Sequence, residues 1–215
     1  CWGDWGDKGP HTMMEDEHTF TKLVKDMYPD LPYFMFGHSM GSFIARDYIS
    51  KYGDKLDGVT LCGTSGEFPG LDNSIEYIKK LVDAGKGTEA DPDVGAVMMG
   101  WMFARCDEGV KLGNEWICHD EFVQQDHAAD PFDAFTKPTS NRSFLDFCRM
   151  IEVITGPEWA EKVPKTLPIY NIAGDQDPVG QYGAGVYQVS NWLTDAGCAV
   201  ETMLYSGYRH EIHNY

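Results

Sequence analysis

Apolar and polar residues along the 215-residue chain change their spacing several times, and each change predicts a secondary-structure element. Short, dense apolar runs predict four strands, at residues 32–36, 59–62, 167–173 and 200–205. Apolar residues at helical spacing predict helices at residues 15–28, 42–49, 75–82, 94–105, 144–154, 157–163 and 186–193. The first two predicted strands lie close together in the chain, and so do the last two. Between the second and the third strand only helical patches are found. This order predicts an α/β frame with a helical insert between its strands.

Residues 37–41 read Gly-His-Ser-Met-Gly, between the first predicted strand and the helix that follows it. In a G-x-S-x-G turn of this kind, the serine lies on a sharp strand-to-helix bend with its hydroxyl exposed. Gly37 and Gly41 lack a Cβ, and we expect this to let strand and helix pass closely. Ser39 is therefore the candidate nucleophile. An ordinary βα turn that contains a serine is the competing interpretation.

A serine hydroxyl needs a base to take its proton, and the base needs a third group to orient it. In a doubly wound sheet such groups follow the carboxyl ends of later strands. Asp175 and Asp177 follow the third predicted strand, and His210 and His213 follow the fourth. We favour Asp177, because Asp175 lies next to its strand and suits capping of loop amides. We favour His210, because it lies nearest the end of the fourth strand.

These segments resemble the monoacylglycerol lipase and lysophospholipase family of serine hydrolases, at residues 37–42, 174–179 and 209–212. The chain order Ser, Asp, His is also the order of α/β-hydrolases. The resemblance implies an α/β-hydrolase fold. Its mostly parallel sheet is reduced here to about four recognisable strands, and it carries an inserted helical cap. We expect the core at residues 1–67 and 166–215 and the cap at residues 68–165.

The resemblance also implies the chemistry. Ser39 would be the nucleophile, Asp177 the acid and His210 the base of a serine ester hydrolase, and no cofactor would be needed. The substrate would be a lipid-like carboxylic ester, a monoacylglycerol or a lysophospholipid, cleaved through an acyl-serine intermediate. The main-chain N–H of Met40 would bind the oxyanion.

A stretch rich in methionine and aromatic residues, at 97–103, lies in the predicted cap. Flexible thioethers suit an acyl-chain pocket, although the same residues also suit ordinary packing. The expected substrate-binding residues are the pocket-wall residue His38 and three residues of this stretch, Met98, Trp101 and Met102. No metal site is expected, because His119-Asp120-Glu121 has no second, spaced pair of ligands.

Family members usually carry several strands and a His-Gly loop before the serine, and a helix after the histidine. Neither is recognisable here, and the loop normally supplies a second oxyanion donor, whose loss costs about 10²–10³-fold in rate. We therefore expect either part of a longer protein or a shortened hydrolase that pairs with itself through its sheet edge. The alternative functions are a short-chain carboxylesterase and a weak or inactive remnant that acts as a binding protein.

The formal net charge is −17, with 34 acidic and 17 basic residues, which argues against a nucleic-acid partner. It also disfavours stable docking on anionic membranes, so we expect only transient membrane contact, through the cap. The six cysteines are scattered and form no C-x-x-C pair, which is typical of reduced, mostly buried thiols. No secretion signal is recognisable. The sequence predicts a cytoplasmic protein.

Overall fold

The computed structural model describes residues 3–103, 113–132 and 138–214. Within them, four strands form one sheet in the order β1-β2-β3-β4, and every neighbouring pair is parallel. The strands are β1 (Phe34–His38), β2 (Gly58–Cys62), β3 (Ile169–Gly174) and β4 (Val200–Tyr205). Each predicted strand is present, and the parallel four-stranded α/β frame is confirmed.

The described residues form eight α-helices, and none of them is long and apolar enough to cross a lipid bilayer. They are α1 (Thr12–Met27), α2 (Met40–Tyr52), α3 (Leu71–Leu81), α4 (Pro92–Phe103), α5 (Glu121–Ala129), α6 (Asn141–Val153), α7 (Pro157–Ala160) and α8 (Ala184–Asp195). The helix predicted at 94–105 is α4, and its last two predicted residues lie outside the described residues.

Helix α5 was not predicted, because its sequence has little apolar periodicity. Its N-cap is Asp120, whose side chain accepts the main-chain N–H groups of Phe122 and Val123. Asp at the N-cap is a favoured start, and Glu121 follows it in the first turn. The His119-Asp120-Glu121 triplet is thus a helix start.

The helices cover one face of the sheet and leave the other uncovered among the described residues. Parallel strands that are adjacent in chain order take right-handed crossovers, which puts every connecting helix on the same side. Val59 and Ile169 face the helices and are buried. On the opposite face, Phe34 is 65% exposed and Phe36 is 58% exposed. Pairing with a second copy through the sheet edge stays a prediction.

The helices α3 to α7 all lie between β2 and β3, and α3, α4, α6 and α7 share a core with the frame. Phe43 and Tyr48 of α2 belong to the same cluster of buried side chains as Met98, Phe147 and Ile151 of the insert. The insert is therefore not an independently cored unit. Its predicted bounds, 68 and 165, stay a prediction.

A buried arginine fixes the segment that follows β2. Arg46 is 1% exposed, and its guanidinium donates to the main-chain carbonyl of Ser65 at 2.6 Å and to that of Ile154. The guanidinium also lies over the ring of Trp159, 4.6 Å from its centroid. Burial lowers the pKa of Arg46 to about 9. Arg46 thus ties the loop after β2 and the end of α6 to α2.

The cysteines follow the expectation where the structure describes them. Cys62, Cys118, Cys148 and Cys198 are free thiols, and all four are buried. The other two cysteines lie outside the described residues.

Candidate active site

The turn between β1 and α2 is the sharp bend that the sequence predicts. Ser39 has φ 54° and ψ −122°, a left-handed conformation that costs a non-glycine residue about 1–3 kcal/mol. Its N–H donates to the carbonyl of Cys62 at 2.9 Å, which ties the bend to the end of β2. Met40 is the first residue of α2, so its N–H has no intrahelical acceptor and can bind an anion.

Of the two glycines in this turn, only Gly37 lies where a side chain would clash. A Cβ on Gly37 would lie 2.4 Å from the carbonyl oxygen of Gly41, so strand and helix do pass too closely for a side chain. A Cβ on Gly41 would meet no described atom within 4 Å. The close approach requires glycine at position 37, and our expectation for Gly41 was wrong.

An aspartate and a histidine meet beyond the ends of β3 and β4. Nδ1 of His210 lies 3.0 Å from Oδ2 of Asp177, and both side chains are almost fully buried. The other carboxylate oxygen of Asp177 accepts the N–H of Val179 at 2.9 Å. Asp175 instead accepts the N–H of Gly207 at 2.8 Å and caps a turn. The structure thus brings Asp177, and not Asp175, to the histidine.

The serine and the histidine converge on the end of β2. Gly63 directly follows Cys62, and a Cβ there would lie 2.8 Å from Cε1 of His210. Nε2 of His210 is buried and has no hydrogen-bond partner among the described residues. With Nδ1 bonded to a carboxylate, Nε2 is the nitrogen with a free lone pair, as a proton acceptor requires. Hydrogen bonds between base and nucleophile are often loose before substrate binds.

Two further histidines lie beside His210. Nε2 of His38 donates to the carbonyl of His210 over 3.3 Å, and the His213 ring lies 4.7 Å from the His38 ring. Burial and the charge of nearby His210 lower the pKa of His38 to about 4. The structure places His38 beside the base and not among the residues that line the cavity described below. Its role in substrate binding stays a prediction.

A segment before α5 holds the histidine from the other side. The Trp116 ring lies 5.0 Å from the His210 ring, and Ile117 accepts the N–H of Glu211 at 2.7 Å. Arg209 donates to the carbonyl of Glu115. No sequence pattern predicts these contacts, because they join residues far apart in the chain and follow no periodicity.

An apolar cavity of about 400 Å³ opens at Ser39. Its lining is mostly aromatic and thioether side chains and includes Phe43, Phe68, Met98, Met102, Phe144 and Phe147. Met98 and Met102 were predicted as substrate-binding residues. Trp101, also predicted, is not in the lining: it packs on Phe68 at 5.6 Å and donates to the carbonyl of Met98.

A family model described as serine aminopeptidase, S33, matches residues 7–214. The chain belongs to this family. Among solved structures, this S33-family chain is 58% identical to a highly thermostable carboxyl esterase from Bacillus coagulans. That match covers 99% of this chain and 68% of the other, with a TM-score of 0.94. No curated protein matches the sequence closely enough to count as a relative.

Two more solved structures share the fold of this S33-family member. A lipase solved in an open form is 32% identical, over 99% of this chain and 69% of that one, with a TM-score of 0.86. A monoacylglycerol lipase from Paleococcus ferrophilus is 16% identical, over 97% of this chain and 70% of that one, with a TM-score of 0.65. The last likeness concerns the fold alone. Together with the parallel sheet, these matches confirm the predicted α/β-hydrolase fold and its serine hydrolase class.

Proposed function

We propose that this S33-family protein is a serine ester hydrolase that cleaves monoacylglycerols with acyl chains of medium length. The observation that carries the proposal is the apolar cavity of about 400 Å³, which opens at Ser39 beside the buried Asp177–His210 pair. At roughly 30 Å³ for a water-sized group, the cavity has room for about thirteen heavy atoms. That volume suits an acyl chain of about eight to ten carbons and its ester group.

The lining favours an uncharged head group over a phosphate. None of the described residues that line the cavity is charged, whereas a lysophospholipid phosphate calls for a basic partner. The net charge of −17 also opposes an anionic substrate. The carboxyl esterase from Bacillus coagulans was solved in complex with glycerol, which is the alcohol that a monoacylglycerol releases.

The family's description names an aminopeptidase activity, and the residues that line the cavity argue against that activity here. A protonated amino terminus is held best by a carboxylate, and the described lining has none. We therefore assign this member to ester hydrolysis.

In the proposed mechanism, Asp177 holds the Nδ1–H of His210 and so orients Nε2 towards the serine. Nε2 takes the proton of Ser39 as its hydroxyl attacks the ester carbonyl. The N–H of Met40 stabilises the negative oxygen. His210 then gives the proton to the departing glycerol, and it activates the water that releases the fatty acid.

The helical insert would serve as the cap. Helix α4 contributes Met98 and Met102 to the cavity wall, so the insert completes the acyl site. The insert also exposes large apolar side chains, with Phe122 75% exposed and Phe132 70% exposed. Such side chains suit transient contact with the lipid surface in which the substrate resides.

Two experiments test this function. A fluorophosphonate probe should label the wild type and not Ser39→Ala; equal labelling would refute the nucleophile. Steady-state kinetics on butyryl, octanoyl, dodecanoyl and palmitoyl glycerol should give the highest kcat/KM for octanoyl glycerol. Octanoyl lysophosphatidylcholine should be turned over more slowly.

The remaining outcomes separate the alternatives. A preference for the butyryl ester would indicate a short-chain carboxylesterase. Faster turnover of the lysophospholipid would contradict the argument from the uncharged lining. Absence of ester turnover by folded protein would support the inactive, binding-protein alternative. An amino-acid amide serves as the aminopeptidase control, and we expect no cleavage.

A further inference from the structure

Three side chains with metal-binding atoms converge behind the candidate base. One possible ligand atom each of His38, Cys62 and His213 lies within 4.8 Å of the others. We propose that this cluster binds a thiophilic divalent cation such as Zn²⁺, and that the bound ion inhibits the hydrolase. The binding stands on the cluster alone, whereas the inhibition rests on the proposed function.

The sheet register explains why two of these side chains lie together. His38 and Cys62 are direct partners in the pairing of β1 with β2. Paired residues of parallel strands point to the same face, and neighbouring strands lie about 4.8 Å apart. Because side chains alternate, this is also the face of Phe36, which no described helix covers; at Cys62 itself the face is buried. His213 reaches the same face from beyond β4, and its ring packs edge-on against Phe36 at 6.3 Å.

The donor set selects the class of ion. Two imidazoles and one thiolate are ligands of Zn²⁺ and its thiophilic relatives, whereas Mg²⁺ prefers oxygen. Three protein ligands leave a fourth tetrahedral position for water. As the sulfur–metal bond forms, the Cys62 thiol releases its proton to solvent, so no redox partner is needed.

The distances show which ligand must move. A tetrahedral Zn²⁺ holds two of its ligand atoms about 3.5 Å apart, so separations of up to 4.8 Å must shorten by up to about 1.3 Å. Cys62 is buried in the central part of the sheet and His38 ends the neighbouring strand. His213 is exposed and lies beyond β4, so it is the side chain that can move.

Contraction of the cluster around the ion would displace His210 through two connections. His213 lies three residues after His210, and His38 donates to the carbonyl of His210. A displacement of about 1 Å in a catalytic group can cost 10²-fold in rate. The Cys62 carbonyl also accepts the N–H of Ser39, which links the cluster to the bend that carries the serine.

The binding test uses the full chain after chelator treatment and Co²⁺ as a spectroscopic substitute for Zn²⁺. The wild type should bind Co²⁺ with a thiolate-to-metal charge-transfer band, which Zn²⁺ should remove by competition. Cys62→Ser should lose this band. His213→Ala removes one of the three ligands and should lower the affinity by at least about 10²-fold, because the loss of a mere outer-sphere partner already costs up to that much. Cys198→Ser and His18→Ala are matched controls outside the cluster and should behave like the wild type.

The activity test follows octanoyl glycerol hydrolysis with added Zn²⁺, and each variant is compared with its own metal-free rate. Zn²⁺ should lower the wild-type rate by about 10²-fold. A chelator should restore that rate, and Mg²⁺ should leave it unchanged. Cys62→Ser and His213→Ala should lose most of this sensitivity.

Distinct results would overturn each part. An unchanged Co²⁺ band in Cys62→Ser, or no Co²⁺ binding by the wild type, would refute the site. Binding without loss of rate would refute the inhibition. If the metal-free wild type hydrolyses no ester, the proposed function fails, and the Co²⁺ titration still decides the site. Should Cys62→Ser not fold by circular dichroism, the exposed His213→Ala decides instead.

Discussion

We expect that a side chain at Gly63 would displace the candidate base, His210. It follows β2 with φ +64°, and a Cβ there would lie 2.8 Å from Cε1 and 3.0 Å from Nδ1 of His210. The same Cβ would lie 3.4 Å from Oδ2 of Asp177. In Gly63→Ala the imidazole of His210 must therefore move away from the end of β2. Its hydrogen bond to Asp177 must then lengthen or change direction.

The size of the effect follows from this displacement. Moving a catalytic group by about 1 Å can cost 10²-fold in rate, which corresponds to about 2.7 kcal/mol of transition-state stabilisation. The left-handed backbone adds a separate cost of about 1–2 kcal/mol in the free energy of unfolding, because alanine adopts it poorly. We expect kcat/KM of Gly63→Ala to fall by about 10²-fold in a protein that still folds.

Gly70→Ala separates the two effects. Gly70 has φ +73°, and a Cβ there would meet no described atom within 4 Å. Both variants should lose about 1–2 kcal/mol of unfolding free energy in urea through the left-handed backbone, and Gly63→Ala should lose more because its Cβ also displaces the buried His210. Only Gly63→Ala should lose kcat/KM on octanoyl glycerol and reactivity towards a fluorophosphonate. Equal kcat/KM losses in the two variants would refute the steric argument, as would a fully active Gly63→Ala.

Three further predictions concern the acid, the cavity and the core. Asp177→Asn should lower kcat by about 10⁴-fold, because the amide can favour the wrong tautomer of the base, whereas Asp175→Asn should change kcat little. Met102→Ala should shift the kcat/KM profile towards longer glycerol esters, by about fourfold per added methylene at about 0.8 kcal/mol each, and Met150→Ala, buried outside the lining, should leave the profile unchanged. Arg46→Met should lower the urea midpoint, because it leaves two buried main-chain carbonyls without their donors at about 1–3 kcal/mol each.

The frame and the candidate triad could be predicted because their signals are local. Each strand is a dense apolar run, and Ser39, Asp177 and His210 each lie within five residues after such a run. The Asp175–Asp177 choice could also be argued from distance to the strand end. The geometry agrees with that argument, because Asp175 caps a turn while Asp177 reaches the histidine.

The parts that the sequence did not show depend on contacts between distant residues. Trp116 contacts His210 although the two are 94 positions apart in the chain, and no periodic pattern marks the segment that carries Trp116. Helix α5 has an N-cap but no apolar stripe, so the spacing of its apolar residues does not predict a helix. The proposed metal-binding cluster combines residues from β1, from β2 and from the segment beyond β4; the strand register pairs the first two, and the third comes from a segment distant in the chain.

The pleat of the sheet explains why the candidate base lies between two different environments. On the side of the sheet that the helices cover, Ser39 borders the apolar cavity. His38 and Cys62 point to the opposite side of the sheet. Both environments share the end of β2, since the Cys62 carbonyl holds Ser39 and Gly63 supports His210. A change at the uncovered face should therefore alter the catalytic rate without altering the acyl-chain preference, which in the proposed function depends on the cavity. Under partial Zn²⁺ inhibition, all glycerol esters should slow by the same factor. A chain-length-dependent factor would place the ion in the cavity instead.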